Sequence, residues 1–203
     1  MRLILMRHGE TIWNAEQRLQ GHDNAPLSAR GREQALAFRH LLDELRPQAV
    51  VSSDLGRCRE TVGLIGFPDA PADPRLRELD MGEWTGRRKP DLIADHPREY
   101  WAWRAGEHYP AGGESWPDFR ARVEDGLRDR LARAGGDLLA VVHSGVIRAA
   151  LSAFLDLPQG RIVPVTPGTA TMLQFDDPFG AEVKLEGYNL GLFAPQRAEV
   201  VSD

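Results

Sequence analysis

Apolar residues in this chain fall into short blocks separated by polar, turn-rich stretches. Leu3-Ile4-Leu5-Met6, Ala49-Val50-Val51 and Leu138-Leu139-Ala140-Val141-Val142 are unbroken apolar runs. Runs this short predict buried strands over 2–6, 49–51 and 138–142. Elsewhere the spacing turns helical. Ala35, Phe38, Leu41, Leu42 and Leu45 predict a helix over 29–45, with Ser28 as its N-cap and Pro47 just past its end. Further helices are expected from near Glu10 to Gln17, over 55–65 behind a Ser52-Ser53-Asp54 cap, over 116–133 behind Ser115, and over 145–155. Gly135-Gly136 stops the fourth of these five. Residues 18–27 and 66–75 read as connections, 76–86 as strand-like or loop, and 89–113 as short helices and loops. The tail over 169–188 alternates in the manner of two final strands. Strands alternating with helices predict a layered α/β fold, with no repeat or clear domain boundary.

Composition narrows this little. With 203 residues, 42% of them hydrophobic and 27% charged, the chain is long enough for one domain with a sizeable core. A net charge of −5 argues against a general nucleic-acid or membrane-surface binder. Lys89 and Lys184 are the two lysines, so the cations are mostly arginine. A single cysteine, Cys58, offers no intramolecular disulfide. No apolar run approaches the ~18 residues of a membrane span, and the first strand opens at the chain start, so a cytoplasmic location is expected.

Candidate chemistry concentrates where strands end. Arg7-His8-Gly9-Glu10 follows the first run, and His143-Ser144-Gly145, with Arg148 after it, follows the run at 138–142. Arg57 lies just past the strand at 49–51, near a helix start. Parallel α/β sheets bind ligands outside the carboxyl ends of their strands. Two histidines and several arginines there suggest one site for an anion. Arg7, Arg57 and a protonated His143 are expected to grip a phosphoryl group, and His8 is the candidate nucleophile. Glu78 and Glu83 are the candidate proton donors for the leaving alkoxide. Competing chemistries lack their residues: there is no Cys-x5-Arg loop, P-loop, Gly-x-Ser-x-Gly elbow or zinc-ligand spacing.

The order of these motifs resembles the histidine phosphatase, or phosphoglycerate mutase-like, family along essentially the whole chain. The matching segments are Met6-Arg7-His8-Gly9-Glu10-Thr11 with Asn14, then Gln20-Gly21 and Pro26-Leu27-Ser28 with Gly31. Next come Ser52-Ser53-Asp54-Leu55-Gly56-Arg57 with Thr61, and Leu76-Arg77-Glu78 through Gly82-Glu83-Trp84-Thr85-Gly86. Gly112-Gly113-Glu114-Ser115 and Val142-His143-Ser144-Gly145-Val146-Ile147-Arg148 complete the set. Ser144 and Thr85 are mild departures, at positions where glycine and a second glutamate are common.

The resemblance implies a three-layer α/β/α sandwich with a mostly parallel central sheet, spanning 1–203 as one domain with a small lid-like insertion around 87–113. It implies His8 as the phospho-accepting residue, Arg7, Arg57 and His143 as the phosphate pocket, and Glu78 as the acid. Asn14, Gln20, Gly21 and Ser144 are expected to line the substrate site. No metal or other cofactor is implied. The expected partner is a small phosphorylated metabolite, with a homodimer through the late strands as a further option. Only residues 79–111 separate the acid from the Gly-Gly-Glu-Ser motif, and a short lid favours hydrolysis over mutase-type transfer. Mutase-type transfer and non-catalytic binding of phosphorylated ligands are the alternatives. His22, His40, His96 and His108 read as ordinary surface or core histidines, Arg59 as a solvated helix residue, and Glu10 and Asp54 as capping or orienting groups. Trp101, Trp103 and Trp116 read as packing residues, with substrate contact as the alternative.

Overall fold

The computed structural model describes residues 1–191. Its five strands are β1 (Arg2–Arg7), β2 (Ala49–Ser52), β3 (Leu138–Val142), β4 (Ala170–Phe175) and β5 (Val183–Leu190), in the sheet order β2-β3-β1-β4-β5. β1 and β2 each pair with β3 in parallel, while β4 is antiparallel to both β1 and β5. Four of the five strands therefore point the same way. The carboxyl ends of β1, β2 and β3 sit side by side, and all three continuous apolar runs are here.

The chain crosses the sheet through seven helices: α1 (Ile12–Ala15), α2 (Ala29–Leu45), α3 (Gly56–Leu64), α4 (Lys89–Asp95), α5 (Pro97–Ala105), α6 (Trp116–Ala134) and α7 (Ser144–Leu155). Alternate residues of β1 feed two cores, as a pleated strand requires. Ile4 and Met6 pack with Ala35, Phe38, Cys58 and Val62 of α2 and α3. Leu3 and Leu5 face the other way, toward Val123, Leu127, Leu131, Val146 and Ile147 of α6 and α7. The result is the expected three-layer sandwich.

Several local expectations change. The first helix keeps only Ile12–Ala15, because Thr11 caps it from inside the expected span. The Thr11 side chain accepts from Asn14 N, and the Asn14 side chain accepts from Thr11 N. The segment 76–86 contains no strand. It forms 3-10 turns at Pro74–Leu76 and Gly82–Trp84, and its carbonyls are taken up by an arginine rather than by a neighbouring strand. Ser52, Ser53 and Asp54 do not cap α3, whose N-cap is Leu55 without a side-chain bond. Their side chains are used elsewhere: Ser52 with Arg59, Ser53 with His143, and Asp54 with Arg77. Arg59 is accordingly no solvated residue. It also donates to the carbonyls of Ala70 and Pro68, tying α3 to the following connection.

Candidate active site

β1 and β3 deliver their two histidines to one place. The His8 backbone N–H donates to the carbonyl of Val142 (2.9 Å), so the two strand ends stay locked as they leave the sheet. The rings lie 5.3 Å apart, centroid to centroid, at 64°. Gly9 and Gly31 permit a close approach between the segment after β1 and the first turn of α2. A Cβ on Gly9 would stand 2.2 Å from the Gly31 carbonyl oxygen, and one on Gly31 would stand 1.9 Å from that of Glu10.

His8 is buried, and its Nδ1 lies 2.7 Å from the Gly9 carbonyl oxygen. A carbonyl only accepts, so Nδ1 carries the proton and Nε2 keeps its lone pair toward the cavity. Burial first, then the charges of Arg57 and Arg7, hold the ring well below its usual pKa. The nucleophile expected from sequence is thus neutral, in the required tautomer, and framed by cations.

Arg57, in the first turn of α3, is almost wholly buried. Its Nη1 donates to the Asp23 carbonyl (2.6 Å), Nη2 to the Gly21 carbonyl (2.9 Å) and Nε to His143 Nδ1 (3.2 Å). A guanidinium has five N–H donors, so two remain for a ligand. Arg7 donates to the Val165 carbonyl and lines the same cavity. Thr61 links the two motifs. Its hydroxyl accepts from Gly9 N (3.1 Å) and donates to the Arg57 carbonyl (2.8 Å).

His143 sits one layer deeper than expected. It is fully buried behind Arg57 and is not among the residues lining the cavity. Accepting at Nδ1 leaves the proton on Nε2, 2.9 Å from Ser53 Oγ. Burial, then Arg57 and His8, depress its pKa well below the usual value. In the free site it is therefore neutral rather than protonated, and it buttresses Arg57. Cys58 lies against it, Sγ 3.5 Å from Nε2, and burial pushes that thiol up to about 12.

Glu78 faces the same cavity, while Glu83 is exposed on the Gly82–Trp84 turn and does not line it. The Glu78 carboxylate is aimed by backbone donors. Oε2 accepts from Gly145 N (3.0 Å), at the start of α7, and Oε1 from Leu79 N (2.9 Å). A Cβ at position 145 would lie 2.0 Å from Oε1, so glycine is needed there to admit the carboxylate. His22 Nε2 lies 2.9 Å from the Glu78 carbonyl oxygen, a positioning contact for a histidine expected to be ordinary.

Asn14, Gln20, Gly21 and Ser144 all line the cavity as expected. Sequence reasoning missed two further residues. Arg122 of α6 donates to the carbonyls of Arg75, Arg77 and Glu78 and pairs with Glu114, so one side chain moulds the whole acid-bearing loop. Gln159 reaches the cavity from a 3-10 turn at Gln159–Arg161. The Arg122–Glu114 pairing was a possible signal; nothing in the pattern around Gln159 marks it. Among the described residues no cluster of three or more His, Cys, Asp or Glu could hold a metal, and no helix is long and apolar enough to cross a membrane.

Residues 3–186 match the histidine phosphatase superfamily (branch 1). The chain belongs to that superfamily. Its curated relatives include the glucosyl-3-phosphoglycerate phosphatase of Mycobacterium tuberculosis (strain ATCC 25618 / H37Rv), 36% identical over 170 residues, covering 77% of this chain and 76% of the relative. A probable phosphoglycerate mutase GpmB of Escherichia fergusonii is 35% identical over 174 residues, covering 84% and 71%. Among solved structures, the mycobacterial glucosyl-3-phosphoglycerate phosphatase complexed with VO3 superposes with a TM-score of 0.78 at 33% identity, over 85% of this chain and 92% of that one. The α-ribazole phosphatase of Shigella flexneri gives 0.79 at 30% identity, over 94% and 96%. Phosphatases of this superfamily thus share both the sequence and the fold of the chain, and the superfamily's mutase-like members share the sequence.

Proposed function

We propose that this protein hydrolyses small phosphomonoesters through a phosphohistidine on His8. The observation that carries the reading is the His8 ring: neutral, Nδ1 pinned to Gly9, Nε2 free, beside Arg7 and Arg57 and within the cavity that Glu78 also lines. In the first step Nε2 attacks phosphorus, the P–O bond to the alcohol breaks, and Glu78 gives its proton to the departing oxygen. The Arg7 and Arg57 N–H groups hold the equatorial oxygens as charge builds. In the second step Glu78 takes a proton from water, whose oxygen attacks phosphorus. The N–P bond breaks, inorganic phosphate leaves, and neutral His8 returns. Neither step draws on a metal. Residues 87–113 serve as a small lid within the one domain.

The test is inorganic phosphate release from a panel of phosphomonoesters in EDTA, wild type against His8→Ala. Release by the wild type that His8→Ala abolishes supports the proposal. The GpmB likeness favours one competing outcome, interconversion of 3- and 2-phosphoglycerate with negligible phosphate release, and that result would replace hydrolysis with transfer.

A further inference from the structure

The last strand of the sheet reaches back to the site. β4 and β5 do not pair evenly: Met172 faces Gly187 and Ala170 faces Leu190, so β5 carries one extra residue between them. This is a β-bulge, a device that turns side chains off the ladder and recurs beside active sites. Tyr188 and Asn189 occupy it. Asn189 has φ +54°, in the left-handed region. Asparagine tolerates that region better than most side chains, and such a conformation persists where its surroundings over-determine it.

The bulge aims both side chains at one loop, residues 163–169. The Tyr188 hydroxyl donates to the Val163 carbonyl. Asn189 Oδ1 accepts from Thr166 N (2.7 Å) and faces the Thr169 hydroxyl (2.7 Å), while its Nδ2 reaches Thr166 Oγ1 (3.4 Å). That loop in turn holds Arg7. The Val165 carbonyl accepts from the guanidinium, and the Thr169 carbonyl accepts from Arg7 N (3.0 Å). Gly168 N donates to the carbonyls of Arg7 (3.1 Å) and His8 (3.2 Å). Main-chain pairing fixes where the Arg7 side chain starts, and the Val165 carbonyl fixes the direction of its fork. Val165 stands between Val163 and Thr166, the two residues that Tyr188 and Asn189 take hold of. A guanidinium grips a phosphoryl group as a planar fork, so its direction matters as well as its charge.

We propose that Asn189 is a positioning residue: through the loop 163–169 it orients the Arg7 fork toward the phosphoryl group. The inference rests on the phosphatase reading for what Arg7 grips.

Asn189→Gly tests it, because glycine keeps the left-handed backbone and removes the side chain. Calorimetry with inorganic phosphate should show Kd rising by about tenfold, the worth of a charge-assisted hydrogen bond. Thr169→Val removes the facing hydroxyl and should raise Kd by a smaller factor; it replaces Asn189→Gly in every comparison if that variant does not fold. A generally loosened fold would also weaken binding, so a cycle with Arg7→Met separates the two causes. Methionine keeps a long side chain and loses the fork. Asn189→Gly should cut kcat/KM by about tenfold when Arg7 is present and by less than about twofold in Arg7→Met. Equal losses in both backgrounds, or constants that neither Asn189→Gly nor Thr169→Val moves, overturn the role and leave the phosphatase reading standing. If the wild type binds phosphate but releases none from any ester, the phosphatase reading alone fails, and the same cycle read in Kd decides the role. A wild type that binds no phosphate overturns both.

Discussion

Two atoms of Glu78 carry different burdens, and Gly145 serves both. The Gly145 N–H holds Oε2, and its missing Cβ admits Oε1, which would otherwise meet a carbon at 2.0 Å. A methyl group there should displace the flexible carboxylate rather than the helix. Gly145→Ala is therefore expected to fold normally and lose about a hundredfold in kcat on alkyl phosphates, the lower end of what a positioned general acid contributes. Glu78→Gln should lose as much or more on alkyl esters and far less on an aryl phosphate, whose phenolate leaves without a proton. A uniform loss across leaving groups would argue that Glu78 binds rather than protonates. The other half of the proposed chemistry depends on His8 being neutral. Burial and two arginines depress its pKa, so the proposed nucleophile is expected to stay unprotonated as pH drops through the ordinary histidine range. A plot of kcat/KM against pH should show no acid limb from an enzyme group near 6.5; a limb there with a substrate that titrates elsewhere would contradict the ring's environment.

Strand ends and helix starts account for what could be read from the sequence. Arg7, His8, Arg57 and His143 each follow a continuous apolar run, and β1, β2 and β3 bring those runs together in register. The local pattern therefore carried the long-range answer. What escaped it was arginine used as scaffold. Arg59 reads as a solvated helix residue and Arg122 carries no mark in the pattern, yet both bond loop carbonyls that no strand takes up. Side-chain-to-backbone bonds of this kind have no periodicity, which is also why the pattern over 76–86 left strand and loop both open. His143 lies at the expected strand end but behind Arg57 rather than on the cavity wall, because burial and the Arg57 contact are invisible in sequence. Asp73 shows the same scaffolding on a neighbouring turn. Its side chain is 2% exposed and accepts from Arg75 and Arg130, joining the Pro74–Leu76 turn to α6. Burial alone would raise its pKa; the two arginines outweigh burial and bring it to about 2. Asp73→Asn should cost about 2–3 kcal/mol, discounted from a fully buried pair because both arginines are partly exposed. The depressed folded pKa makes this contribution full above about pH 4 and progressively lost down to about pH 2. Urea unfolding of wild type and variant at pH 7 and pH 3 should show the gap between them narrowing in acid.

The whole molecule is built around a contradiction: a chain of net charge −5 encloses a cavity edged by Arg7, Arg18, Arg57, Arg104, Arg148 and Lys89. Concentrating cations where they are desolvated favours a multiply charged anion, and it adds to burial, the larger cause, in holding the pKa values of the histidines beneath well below the usual range. That depression has a price in acid. His8 and His143 are neutral in the fold with pKa values well below 6.5, while in the unfolded chain they take up protons near 6.5. Below that pH the unfolded state binds more protons, so stability falls as pH falls, by as much as about 2 kcal/mol per histidine at pH 5. Thermal midpoints in phosphate-free buffer should therefore drop between pH 7.5 and pH 5. Other groups titrate in the same window, so the decisive quantity is the difference from His143→Gln, which cannot take up the proton and should lose less over that range. Adding inorganic phosphate should reverse part of the wild-type loss, because a dianion beside Arg7 and Arg57 offsets the field that depresses both rings. A wild-type midpoint that falls no more steeply than that of His143→Gln would mean that the ring titrates alike in the folded and unfolded states, and the cationic cavity would then have no hold on the histidines below it.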